Sequence, residues 1–194
     1  MTIAIWGDSI TFGKGDPEGL GWVGRLTNAY PAGSEVRVHN LGVRGDTTVD
    51  LLKRLPEEAA RIKPDMAILA IGINDTRYKE SPEAPEVGIE IFKANIVTLI
   101  EEIQKVTPRI FIIGLTKVDD ARPASDSGSR YTNALIDTYD QALMDIAREE
   151  RVGYMHIYNS LDPATELADG LHPNAAGYQK LFEELSPRIL VNSQ

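Results

Sequence analysis

Thr2-Ile3-Ala4-Ile5-Trp6-Gly7-Asp8-Ser9-Ile10-Thr11 decides how the rest of the chain is read. Five residues with no charge, mostly branched or bulky, run straight into Gly-Asp-Ser. An apolar run without polar alternation is what a strand covered on both faces requires, and such strands belong to parallel sheets. The polar residues then fall just past the strand's carboxyl end. In open α/β sheets that is the end where ligands bind.

Working outward, the same unit recurs. Glu35 to Asn40 alternates, with Val36 and Val38 between polar residues, and predicts an edge strand with one solvated side. Met66 to Ile71, Ile110 to Leu115 and Tyr154 to Ile157 supply further short apolar runs. Helical periods separate them. One runs from about Trp22 to Tyr30. A second runs from a cap at Asp46 to about Lys63, with Val49, Leu52 and Leu55 at helical spacing. Ile89, Phe92, Ile96, Leu99, Ile100 and Ile103 form one face of a third. Leu135, Tyr139, Ala142, Leu143 and Ile146 form a fourth, and a last helix follows Pro173, a residue suited to a first helical turn. Five strands alternating with five helices predict an α/β protein, a three-layer α/β/α sandwich on a five-stranded parallel sheet.

Composition narrows the partners. The chain has 194 residues, the length of one domain, and no repeat or linker divides residues 1–194. A formal charge of −9 argues against nucleic acid, whose phosphates need a basic face, and against anionic lipid. Cysteine is absent, so thiolate catalysis, zinc–thiolate sites and disulfides are excluded. Met1-Thr2 leads directly into the first strand with no basic or long apolar leader, so a cytoplasmic location is the expectation. No apolar run of about 18 residues is present, so no stable membrane insertion is expected.

The segments past the strands carry the chemistry. They are Gly7-Asp8-Ser9, Asn40-Leu41-Gly42-Val43-Arg44-Gly45-Asp46-Thr47 and Gly72-Ile73-Asn74-Asp75; Asp169-Gly170-Leu171-His172-Pro173 precedes the last helix. Asp169 and His172 have a spacing at which a tight loop folds a carboxylate onto an imidazole, the base half of a Ser-His-Asp arrangement. Alone, however, Asp-x-x-His is more readily a turn, and a serine after a strand more readily a helix cap. Asn74, Gly42 and Gly45 have turn readings of the same kind. Together, the backbone N–H groups of Ser9 and Gly45 and the amide of Asn74 are donors suited to an oxyanion. Thr11 stands where Gly-x-Ser-x-Gly needs its second glycine, which disfavours the α/β-hydrolase elbow. Gly13-x-Gly15 has a faint likeness to a phosphate loop, but neither G-x-x-x-x-G-K-S/T nor G-x-G-x-x-G is present, so nucleotide binding is not expected. Asp8 reads as structural, and His39 and His156 as sheet residues.

These four motifs in this order resemble the SGNH, or GDSL, hydrolase family from Gly7 to Pro173, with Ile10 in place of the usual leucine. The resemblance implies a flavodoxin-like SGNH fold over one domain and an acyl-serine esterase that cleaves carboxylic esters of small molecules without cofactor or metal. It assigns Ser9 as nucleophile, His172 as base, Asp169 as its support, and Ser9, Gly45 and Asn74 as the oxyanion hole. Acyl transfer to another acceptor, thioester cleavage, or a noncatalytic carbohydrate- or lipid-binding module would use the same scaffold. Trp22 and Tyr78 are candidate substrate-pocket residues, and the stretches 77–88 and 116–130 are candidate specificity loops.

Overall fold

The structure, a computed structural model, describes residues 1–78, 84–122 and 129–191. The elements in order are β1 (Thr2–Gly7), α1 (Ser9–Phe12), α2 (Gly21–Ala29), β2 (Arg37–Gly42), α3 (Thr48–Ile62), β3 (Met66–Ala70), a 3-10 turn (Asn74–Thr76), α4 (Ile89–Gln104), β4 (Ile110–Ile113), α5 (Asn133–Glu149), β5 (Gly153–Met155) and α6 (Ala175–Val191). The strands form one five-stranded sheet in the order β2-β1-β3-β4-β5. Every pairing is parallel. This is the α/β/α architecture expected from the alternating pattern, with the flavodoxin-like strand order.

Strand geometry explains why β1 is apolar throughout. Successive side chains point to opposite faces. Ala4 and Trp6 enter the core beneath α3, α4 and α5, whereas Ile3 and Ile5 enter the core beneath α2 and α6. All four are fully buried. Trp6 does so without leaving a buried donor unpaired, because its indole N–H donates to Glu58 at 2.8 Å. β2 is an edge strand, as its alternation predicts, and none of its residues is fully buried.

Three local expectations need correction. The cap of α3 is Thr47, not Asp46. Thr47 and Asp50 form a reciprocal capping box, while the Asp46 carboxylate accepts from Arg54 at 2.8 Å. The buried face of α3 is Leu51, Leu55 and Ala59; Val49 is exposed and Leu52 only partly covered. His156 lies past β5 and is exposed, 3.5 Å from Asp140, so it is not a sheet residue.

The strand order places the site. The chain leaves β1 for β2 on one side and returns to β3 on the other. A crevice therefore opens beyond the carboxyl ends of β1 and β3, where Gly7 pairs with Ala70. Ser9 follows one of these ends and Asn74 the other. Among the described residues, no helix is long and apolar enough to cross a membrane.

Candidate active site

Ser9 opens α1 but does not cap it. The cap is Asp8, whose Oδ1 accepts from the N–H of Ile10 at 2.9 Å. Ser9 is thereby freed to present its hydroxyl. Gly7 makes the turn possible: a Cβ there would lie 2.1 Å from Thr11 Oγ1 and 2.5 Å from the carbonyl of Ala70. Burial pushes the Asp8 carboxyl up to about 7, with the charge of Asp75 adding to the effect.

His172 reaches this serine from the far end of the chain. Its Nε2 is 2.8 Å from Ser9 Oγ, and both residues are 4% exposed. Its Nδ1 is 2.7 Å from Asp169 Oδ2. The other carboxylate oxygen of Asp169 accepts from the backbone N–H groups of Leu171, at 3.1 Å, and His172, at 2.8 Å. Gly170, at φ +87°, lets the chain turn this tightly, and the N–H of Ala168 closes the loop by donating to His172 O at 2.7 Å. Burial alone would raise the Asp169 carboxyl, but the bonds from His172 and Leu171 outweigh it and hold the group well below the usual carboxylate range. A carboxylate only accepts, so the proton sits on Nδ1 and Nε2 is left to accept from the serine hydroxyl.

Asn74 is 3% exposed and starts the 3-10 turn. Its Nδ2 donates to Asp46 O at 2.9 Å, and its Oδ1 accepts from Tyr131 Oη at 3.1 Å and from Arg77 Nη1 at 3.4 Å. Gly45 has φ +86°, and no atom lies within 4 Å of where its Cβ would be, so its backbone borders open space. Arg54 holds this loop against the sheet. It donates to the Asp46 carboxylate, to Leu41 O at 3.0 Å and to Gly7 O at 3.2 Å. Beneath Asn74, the buried Asp75 carboxylate accepts from Thr48 N at 3.1 Å and Thr48 Oγ1 at 2.5 Å. Burial pushes Asp75, too, up to about 7.

The structure thus gathers Ser9, Asp169 and His172 into one hydrogen-bonded chain. Gly45 and Asn74 share the neighbouring loop through Asp46. Of the two pocket candidates, Trp22 is 2% exposed; it lines an internal cavity with Asp8, Ile10 and Thr11 and not an open mouth. Tyr78 is bridged to Arg130, whose guanidinium lies 5.3 Å from its ring. The candidate specificity loops lie outside the described residues at 79–83 and 123–128. Phe12, 52% exposed one helical turn after Ser9, lines an open surface pocket with Gly42 and Arg44. Sequence reading missed Tyr131, Arg77 and Arg54. Tyr131 acts from a segment remote from Asn74, whereas Arg77 lies three residues after Asn74 and Arg54 eight residues after Asp46, beyond the motifs themselves.

A serine hydroxyl hydrogen-bonded to a histidine that is itself held by a carboxylate is an arrangement competent for acyl transfer. Comparison with known proteins agrees. A model of the GDSL-like lipase/acylhydrolase family matches residues 5–180. An acetylxylan esterase of Geobacillus stearothermophilus is 29% identical over 195 residues, covering 90% of this chain and 87% of that protein. Esterase TesA of Pseudomonas aeruginosa is 24% identical, covering 97% of this chain and 88% of its own. Among solved structures, a lipase/acylhydrolase from Enterococcus faecalis superposes with a TM-score of 0.80 at 27% identity, over 97% of this chain and 94% of that one.

Proposed function

The chain belongs to the GDSL-like lipase/acylhydrolase family of carboxylic ester hydrolases, and from that premise we propose that Ser9 carries the acyl group. The observation that supports this most is the continuous relay from Ser9 Oγ to His172 Nε2, at 2.8 Å, and from Nδ1 to Asp169, at 2.7 Å.

Ser9 Oγ attacks the ester carbonyl and passes its proton to His172 Nε2. Asp169 keeps the ring oriented and stabilises the imidazolium that forms. The carbonyl oxygen, now an oxyanion, takes hydrogen bonds from the N–H groups of Ser9 and Gly45 and from Asn74 Nδ2. Such donors act where charge develops, so they favour the tetrahedral state over the ester. Collapse breaks the bond to the leaving alkoxide, which takes the proton from His172. Water then attacks the acyl-serine with the same base, releasing the carboxylic acid and restoring Ser9.

The substrate in this reading is a small acyl ester, in line with relatives named acetylxylan esterase and arylesterase. In this reading the exposed Phe12, one helical turn after Ser9, offers an apolar face to the ester's alcohol portion. Residues 1–194 are read as a single catalytic domain, since one sheet and its two helical layers carry every group invoked. The test is Ser9→Ala assayed on p-nitrophenyl acetate. A loss of at least about a thousandfold in kcat is expected. Retained activity in the folded variant would overturn the assignment.

A further inference from the structure

Asn74 carries two N–H donors and one carbonyl oxygen, and its neighbours leave only one way for the amide to face. Asp46 O can only accept, and it receives an Nδ2 hydrogen at 2.9 Å. The Tyr131 hydroxyl donates to Oδ1 at 3.1 Å, and the Arg77 guanidinium, which can only donate, approaches the same oxygen at 3.4 Å. A flipped amide would set carbonyl against carbonyl and N–H against guanidinium. One N–H remains for a substrate oxygen.

Tyr131 is itself held in place. It is 6% exposed and stands just before α5, far in sequence from Asn74. Two backbone hydrogen bonds fasten the adjoining segment to the one that follows Asn74: Tyr78 N–H to Arg130 O at 2.9 Å, and Arg130 N–H to Tyr78 O at 3.1 Å. Burial pushes the phenol up to about 12, so it stays a donor throughout the working range of a histidine base. Arg77 also approaches Gly45 O at 3.4 Å and is neutralised by Glu86. Its two contacts are long, so Tyr131 carries the larger share.

We propose that Tyr131, supported by Arg77, is a positioning residue for the oxyanion hole, fixing the orientation of the Asn74 amide and polarising it. Donation to an amide oxygen draws electron density from the nitrogen and strengthens its remaining N–H as a donor. The effect belongs to the transition state, because only there does the substrate oxygen carry the charge that this N–H meets. The inference rests on reading Asn74 as an oxyanion donor.

The experiment is a double-mutant cycle of Tyr131→Phe and Asn74→Ala on p-nitrophenyl acetate, with inhibition by phenylboronic acid, which forms a tetrahedral adduct with serine. Tyr131→Phe is expected to lower kcat about tenfold with KM within about twofold, and to weaken boronate inhibition in parallel. In the Asn74→Ala background the same change is expected to add less than about twofold. An equal loss in both backgrounds, or a change confined to KM, would overturn the proposal and leave Tyr131 a packing residue. Full kcat in Asn74→Ala alone would instead overturn the oxyanion reading, and the proposal with it. Arg77→Met in the same cycle, expected to lower kcat about threefold only when Asn74 is present, keeps the proposal testable if Tyr131→Phe does not fold.

Discussion

Gly15 backs directly onto the loop that carries His172: a Cβ at Gly15 would lie 2.6 Å from Pro173 O and 3.1 Å from His172 Cβ. The glycine therefore makes room for His172, the base in the proposed mechanism. Gly15→Ala also meets a φ of +96°, which alone costs about 1–2 kcal/mol for an L-residue. The expected outcome is a lower melting temperature and a fall in kcat of about tenfold or more, since small displacements of a catalytic group are costly. Gly19→Ala is the control. Gly19 has φ +69° but nothing within 4 Å of its Cβ position, so the melting temperature should drop and kcat should hold.

Asp169 does more than balance charge. Its carboxylate sets the tautomer of His172, and an amide in its place can donate to Nδ1 and leave Nε2 protonated, unable to accept. Asp169→Asn is expected to lower kcat by about 10²–10⁴-fold with little change in KM. Steady-state kinetics on p-nitrophenyl acetate measures this.

The buried carboxyls make stability depend on pH in a defined direction. Asp8 and Asp75 are raised to about 7, so the folded state binds their protons more tightly than the unfolded chain. Their contribution is complete below about pH 4 and is lost as pH rises through about 7. Asp169 has the opposite sign: it is depressed, and its contribution is lost as pH falls below the ordinary carboxylate range. Asparagine caps helices nearly as well as aspartate. Asp8→Asn is therefore expected to lose less stability than the parent between pH 5 and pH 8, as measured by urea unfolding at both.

Arg54 joins the ends of β1 and β2 to the loop that holds Gly45, through Gly7 O, Leu41 O and the Asp46 carboxylate. Arg54→Met leaves a partly buried Asp46 without its cation, a loss of about 3 kcal/mol. Activity should fall along with stability, because Asp46 O is also the acceptor that Asn74 Nδ2 meets. Thermal unfolding and kcat, followed together, check both parts.

The sheet was legible because strands buried on both faces have no choice but to be apolar, as Ile3, Ala4, Ile5 and Trp6 are. α1 was not, because a four-residue helix is too short to show a period. The cap of α3 was misplaced by one residue because Asp46 and Thr47 are both good caps by type. The spacing of Thr47 to Asp50, a capping-box signature, was the signal that distinguishes them. The burial of Trp22 and the contacts of Tyr131 and Arg54 were illegible for another reason. They depend on which distant segments the fold brings together, and no local pattern encodes a partner in another motif.

Reaction of the folded protein with a fluorophosphonate, followed by mass spectrometry of its peptides, tests the role of Ser9 most directly. The expected result is one adduct per chain, on Ser9, absent from Ser9→Ala and formed far more slowly by His172→Ala. Labelling at another residue, or equal labelling of Ser9→Ala, would contradict it.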